Sequence, residues 1–376
     1  MIPKNQKRIL ICSLAAIILL CGIILVKVLF QNNTTPAPTQ PNAEQPLAEP
    51  TPTEAPLLED LDIPAADASP FALHGKLHVS NTELLDQNDQ VTQLRGVSSH
   101  HLTLYPKFFN EETLKYVRDA WGVNLIRLAN YTEFFGNGYC DGGDAAQTDE
   151  IIKSTIQIAD SLGMYVILDW HTLTDNNPLK YLEGSKEFFR RYTELYKDHD
   201  NIIYEICNEP NGDTTWDDIY QYAEQIIPLI RSLDPDAVIL VAPAAYTTDL
   251  ESVAAKPLPY DNVMYTAHFY AGSHREDLRN GVLKALEQNV PIFISECNIT
   301  DANWQDGKVN TEQGQIWFDL IDSNNLSYTL WSFTDADEVF SFFRPGTTKL
   351  SGFTDQELSE SGQWNVNHFL QLKSTP

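Results

Sequence analysis

Eight short apolar runs alternating with amphipathic stretches along 376 residues predict an α/β fold, a (β/α)8 TIM barrel. Several amphipathic stretches end in Gly or Asn, as helices do, and the apolar runs are followed by acidic, histidine and aromatic residues. The length suits a barrel of roughly 250 residues or more with appendages. An open doubly wound sheet is the alternative, but the first run lacks the Gly-rich phosphate turn such folds often carry.

The elements follow in order. Lys4, Lys7 and Arg8 precede an apolar run, Ile9 to Phe30, of about the length a bilayer demands. Lys27 interrupts it near the outer end, from where it can snorkel. This asymmetry makes residues 1–8 cytoplasmic and residues 9–30 a single-pass transmembrane signal anchor, with the rest of the chain outside the cell. A cleaved signal peptide with secretion is the alternative, but it calls for a shorter apolar core and small residues at a cleavage site. Residues 31–70, rich in Pro, Thr, Ala and acidic residues, read as a disordered linker with little to bury. Residues 71–376 read as one globular domain, opened by a capping hairpin in LHVSNTELLDQNDQ. The strands are VTQLRGVS, VNLIRLA, MYVILDW, NIIYEIC, AVILVAP, VMYTAHF, PIFISE and LSYTLWSF. Helical patterns between them include EETLKYVRDAW, DEIIKSTIQIADSLG, SKEFFRRYTELYKD, WDDIYQYAEQIIPLIRSL and REDLRNGVLKALEQN.

Composition narrows the partners. A net charge of -27, from 25 basic and 52 acidic residues, repels phosphate backbones, so no nucleic acid is expected and a neutral substrate fits better. No protein partner is implied. Of five cysteines, Cys12 and Cys21 fall in the anchor, and the odd remainder, Cys140, Cys207 and Cys297, argues against a disulfide framework. They lack metal spacing and read as small packing residues.

Barrels assemble their sites at the C-terminal strand tips. In YEICNEPNG an apolar strand stops at Pro210, Asn211 and Gly212, which puts Asn208 and Glu209 at its tip; PIFISEC does the same for Glu296. The other tips offer His100 and His101, Arg127, Asp169, Trp170 and His171, His268 and Tyr270, then Trp331 and Asp335. Two carboxylates across a barrel mouth suit glycoside hydrolysis, one protonating the leaving oxygen while the other attacks or activates water. Zinc is the rival, but no HExxH or comparable motif supports it, and neither metal nor cofactor is expected.

The runs LRGVSSH, IRLANY, YVILDWH, YEICNEPNG, HFYAG, FISE and LWSF, in this order, resemble glycoside hydrolase family 5, most of all its bacterial endo-β-1,4-glucanases. The resemblance implies a catalytic domain over residues 71–376 and a polysaccharide substrate. It implies Glu209 as acid/base and Glu296 as nucleophile of a retaining double displacement, about 5 Å apart, with mutual repulsion keeping Glu209 protonated. Arg127 and Tyr270 match residues that hydrogen-bond the nucleophile, and Asn208 one that binds the sugar 2-hydroxyl. His171 and His268 match histidines of the reacting subsite, Trp331 its stacking floor, and His100 a contact further along the cleft. The chain departs from the family pattern at Leu104, Ala336, Cys297 and Tyr246, the last standing where a Trp platform is common on the leaving side. Phe340, Phe342, Phe343 and Trp304 are candidate substitutes. Mixed-linkage glucan, xyloglucan or mannan hydrolysis, and a non-catalytic surface carbohydrate-binding protein, are the alternative functions.

Overall fold

The computed structural model describes residues 69–374. The expected anchor, residues 9–30, and all but the last two residues of the expected linker lie outside the described residues. Among the described residues no helix is long and apolar enough to cross a membrane.

A single helical turn, α1 (Pro70–His74), begins where the Ser69 hydroxyl accepts from the Ala72 amide and Pro70 needs no donor. The expected hairpin follows as β1 (His78–Ser80) and β2 (Glu83–Leu85), paired antiparallel. The chain then runs through β3 (Arg95–Ser98), α2 (Glu111–Tyr116), β4 (Leu125–Tyr131), α3 (Ala145–Leu162), β5 (Tyr165–His171) and α4 (Leu182–Tyr196). It continues with β6 (Ile202–Glu205), α5 (Trp216–Arg231), β7 (Val238–Val241), α6 (Leu250–Ala255), β8 (Val263–Tyr270) and α7 (Glu276–Glu287). The last elements are β9 (Ile292–Asn298), α8 (Thr311–Ser323), β10 (Tyr328–Leu330) and α9 (Glu360–Ser374). Strands β3 to β10 close a parallel barrel, β10 pairing with β3. All eight apolar runs fall on barrel strands. The first supplies only Arg95–Ser98, because the Leu94 amide donates to the Ser327 hydroxyl (2.9 Å) instead of a ladder carbonyl.

Strand side chains alternate between two buried faces. Ile126, Leu128, Val166, Leu168, Ile239 and Phe269 point outward to the helices, in one large core. Leu125, Tyr165, Ile167, Ile203, Leu240, Met264 and Phe293 point inward and fill the lower barrel together with Leu77 and Leu84. The hairpin therefore plugs the N-terminal mouth, and the Tyr165 hydroxyl donates to the Gly75 carbonyl (2.6 Å) to hold it there. Each leucine so buried contributes about 1.5–3 kcal/mol. Further up the same inward rows the residues turn polar: Arg127 above Leu125, Asp169 and His171 above Ile167, Glu205 above Ile203, His268 above Met264. One row thus makes core at one end and site at the other.

One strand breaks the alternation. Thr266 and His268 of β8 oppose Phe293 and Glu296 of β9, two steps against three, and β10 shows the same surplus with Tyr328 opposite Ile294 and Leu330 opposite Cys297. This is a β-bulge, and it lets two consecutive β9 residues face the interior.

Candidate active site

Arg127 is the hub of the C-terminal mouth. Its side chain is fully buried, and its Nε donates to Glu205 Oε2 (2.6 Å), Nη2 to Asn208 Oδ1 (2.6 Å) and Nη1 to Glu296 Oε2 (3.3 Å). Nη2 also lies 3.0 Å from Asp169 Oδ2. Burial opposes the charge, but the carboxylates of Asp169, Glu205 and Glu296 outweigh it and raise the guanidinium pKa. The planar fork satisfies several partners at once, which a lysine cannot do.

Glu296 accepts from the Tyr270 hydroxyl at Oε1 (2.6 Å) as well as from Arg127. Burial pushes its carboxyl up, and the charge of Glu209 pushes the same way, against His268, Arg127 and Tyr270. One carboxylate oxygen of Glu209, one of Glu296 and a ring nitrogen of His268 lie within 4.8 Å of one another. A cation placed among them would have to compete for a histidine whose ring nitrogens are both engaged.

His268 Nδ1 lies 2.9 Å from Glu209 Oε1, and Nε2 lies 2.8 Å from Ser295 Oγ. The Ser295 hydroxyl gives its hydrogen to Glu205 Oε1 (2.6 Å), so His268 must donate from Nε2. Only Nδ1 is then free to change protonation with Glu209. Burial works against an imidazolium here, yet Glu205 and Glu209 prevail and His268 is pushed up to about 9. The charged imidazole is thus favoured, with Nδ1 one hydrogen bond from Glu209, while burial raises Glu296.

His171 behaves oppositely. Burial, then the neighbouring charge of Arg127, hold it well below its ordinary value, so it is neutral. Its Nδ1 sits 2.6 Å from Asp169 Oδ2, and Nε2 faces Asn208 Nδ2 at 3.3 Å. Trp331 stacks on His171 (5.4 Å, 11°), and Tyr131 leans against it (4.0 Å). His100 meets Trp331 (5.0 Å) and carries Nε2 3.6 Å from Glu338 Oε1.

Tyr246 is half exposed on a turn where Ala245, Tyr246 and Thr247 all have left-handed φ of 55°, 55° and 64°. The turn is held on both sides: the Tyr246 amide donates to the Pro210 carbonyl (3.0 Å), and the Thr247 hydroxyl accepts from the His268 amide (2.7 Å). The Tyr246 ring is thereby tied to the Glu209 loop and to His268.

All ten expected site residues thus gather at one mouth, but other tip residues do not. Trp170 packs outward against Phe188 (5.1 Å), Asp335 pairs with Lys107 (2.7 Å), and His101 Nε2 turns to the Asn137 carbonyl (3.1 Å). Phe342 and Phe343 are core, whereas Phe340 stays beside Tyr270 (5.7 Å) and Trp304 is half exposed. Cys207 and Cys297 face the outer core as free thiols, as the packing reading expects. Glu205, Ser295, Glu338 and Tyr131 were not among the expected site residues. A lone acid inside the apolar run NIIYEIC is a visible signal for Glu205; nothing in the sequence marks Ser295.

Residues 85–337 match the model of the cellulase family, glycosyl hydrolase family 5. The chain belongs to glycosyl hydrolase family 5. Endoglucanase A of Butyrivibrio fibrisolvens is 44% identical over 303 residues, 80% of this chain and 70% of that protein. An endoglucanase of Clostridium saccharobutylicum is 42% identical over 298 residues, 79% and 65% of the two chains. The chain therefore spans about two thirds of the length of these curated relatives. The catalytic domain of Thermobifida fusca endoglucanase Cel5A, solved with cellotetraose, superposes with a TM-score of 0.76 at 31% identity, covering 81% of this chain and all of that one.

Proposed function

We propose that this domain is a retaining endo-glycosidase that hydrolyses β-1,4-linked glucan through Glu209 and Glu296. The observation that carries the proposal is the approach of their carboxylate oxygens to within 4.8 Å. Retaining enzymes hold their carboxyl groups about 5–5.5 Å apart, whereas inverting ones leave about 6.5–9.5 Å for a water. The endoglucanase relatives and the structure solved with cellotetraose support the choice of substrate.

In the first step Glu296 attacks the anomeric carbon while Glu209 gives a proton to the departing glycosidic oxygen, leaving a glycosyl ester on Glu296. The proton comes from the His268 and Glu209 pair, in which Ser295 and Glu205 fix Nε2 as a donor so that Nδ1 alone exchanges. In the second step Glu209 takes a proton from water, which attacks the anomeric carbon and frees Glu296. Tyr270 and Arg127 orient the nucleophile. Asn208 has its oxygen fixed by Arg127, while Nδ2 makes only long bonds (3.2 and 3.3 Å) and is placed to turn to the 2-hydroxyl. His171 and Trp331 form the wall and floor of the reacting subsite, His100 continues it, and Tyr246 receives the leaving sugar.

Display outside the cell on an uncleaved anchor at residues 9–30 is part of this reading, supported by the apolar run behind Lys4, Lys7 and Arg8. Cell fractionation with N-terminal sequencing tests it; a mature protein beginning after Phe30 would contradict it. The substrate is tested by a panel of carboxymethylcellulose, barley glucan, xyloglucan and glucomannan. The first two should be cleaved fastest, and no activity on any of them would overturn the assignment.

A further inference from the structure

A chain of ring contacts continues past the residues used so far. From Trp331 the rings run through His100 (5.0 Å) to Phe134 (6.4 Å) and then Phe135 (5.3 Å). Phe134 is anchored against Tyr131 (4.9 Å) and His101 (5.0 Å). Phe135 is 82% exposed, more than any other large apolar side chain among the described residues. Its φ of 48° lies in the left-handed region that a bulky residue rarely adopts.

The loop that presents it is tightly held. The Asp141 carboxylate accepts from the amides of Phe134 (3.1 Å), Gly136 (2.7 Å) and Gly138. Glu133 pairs with Lys180 and with the Tyr181 hydroxyl (3.0 Å), and its carbonyl accepts from Thr174 (2.9 Å). The fold thus keeps an apolar ring in water on a strained backbone, two costs that glycine at this position would remove. Such strain at a rigid, exposed position points to a ligand.

The position of the acid gives the direction. Glu209 lies with His268 and Tyr246 toward β8, the side of the leaving sugar. Phe135 follows Trp331, His100 and Phe134 on the loop after β4, across the barrel from β8 and so opposite the leaving sugar in the proposed mechanism. We propose that Phe135, backed by Phe134, is a stacking platform for an outer glucosyl unit on the non-reducing side of the cleavage point. The proposal rests on the β-glucan reading above. The flat C–H face of a β-linked glucosyl ring matches an exposed phenyl face. A platform so far from the reacting bond binds ground state and transition state alike, so it acts on KM and not on kcat.

The test compares the full-length protein with Phe135→Ala, Phe135→Gly and Phe135→Trp on cellohexaose and on p-nitrophenyl β-cellobioside, which is too short to reach the platform. For Ala and Gly we expect KM on cellohexaose to rise about tenfold, or ~1.4 kcal/mol, with kcat unchanged. The short substrate should be cleaved as by wild type, and Trp should restore KM. Phe135→Gly should melt at or above the wild-type temperature, since it relieves strain; a merely structural role would lower it. An unchanged KM on cellohexaose, or equal losses on both substrates, would overturn the platform. A wild-type protein inactive on both substrates would instead overturn the glucan reading, and the platform with it.

Discussion

Ser295 and Glu296 are consecutive residues, and both side chains enter the barrel: Ser295 donates to Glu205, while Glu296 accepts from Tyr270. In a regular strand they would face opposite sides of the sheet. The surplus residue in β9 re-aims them, so one irregularity places Glu296 and the hydroxyl that supports His268 side by side.

Removing the Ser295 hydroxyl takes the hydrogen from Glu205 and the acceptor from His268 Nε2. Ser295→Ala is therefore expected to lower kcat by about ten- to a hundredfold and to move the basic limb of the pH–rate profile to lower pH than in wild type. Profiles of kcat/KM against pH check this. An unshifted limb would separate His268 from the acid.

The same histidine leaves a mark on folding. Its folded pKa of about 9 lies above its ordinary 6.5, so its stabilisation is fully present below about 6.5 and is lost as pH rises through about 9. Thermal melts over that window should fall more steeply for wild type than for His268→Gln. Equal slopes would mean that His268 is not a buried cation.

Arg127 carries the largest structural burden of the site. Arg127→Ala leaves Asp169, Glu205 and Glu296 without their buried cation, and such losses cost about 3–5 kcal/mol. Urea unfolding should show this, and Arg127→Lys should recover only part, because an ammonium cannot reproduce the guanidinium fork.

In the proposed mechanism Glu209 is needed only where the departing oxygen needs a proton. Glu209→Ala should slow cleavage of cellohexaose by about 10²–10⁴-fold yet leave the first step on a dinitrophenyl cellobioside nearly intact. Burst kinetics separate the two steps. Equal losses on both substrates would remove Glu209 from the acid role.

The barrel was legible because its strands are buried on both faces and its helices on one, two patterns that differ over a few residues. Glu209 and Glu296 were legible because apolar runs end on them. Glu205 and Ser295 act inside strands that read as plain core, and the β9 bulge has no local signature in PIFISEC. Trp170 sits at a tip yet packs outward, because a tip can be found from sequence while its inward or outward phase depends on register. Asp335 lies past β10, where the backbone leaves the barrel and lets it pair with Lys107. Phe342 and Phe343 follow it into the outer core.

Glu209 and Glu296, with one carboxylate oxygen of each within 4.8 Å, are proposed to act by double displacement. Proton NMR of the first products released from a soluble cello-oligosaccharide tests it most directly. The expected result is that the β-anomer appears first and the α-anomer only later, by mutarotation. Initial release of the α-anomer would show inversion and contradict the roles assigned to both glutamates.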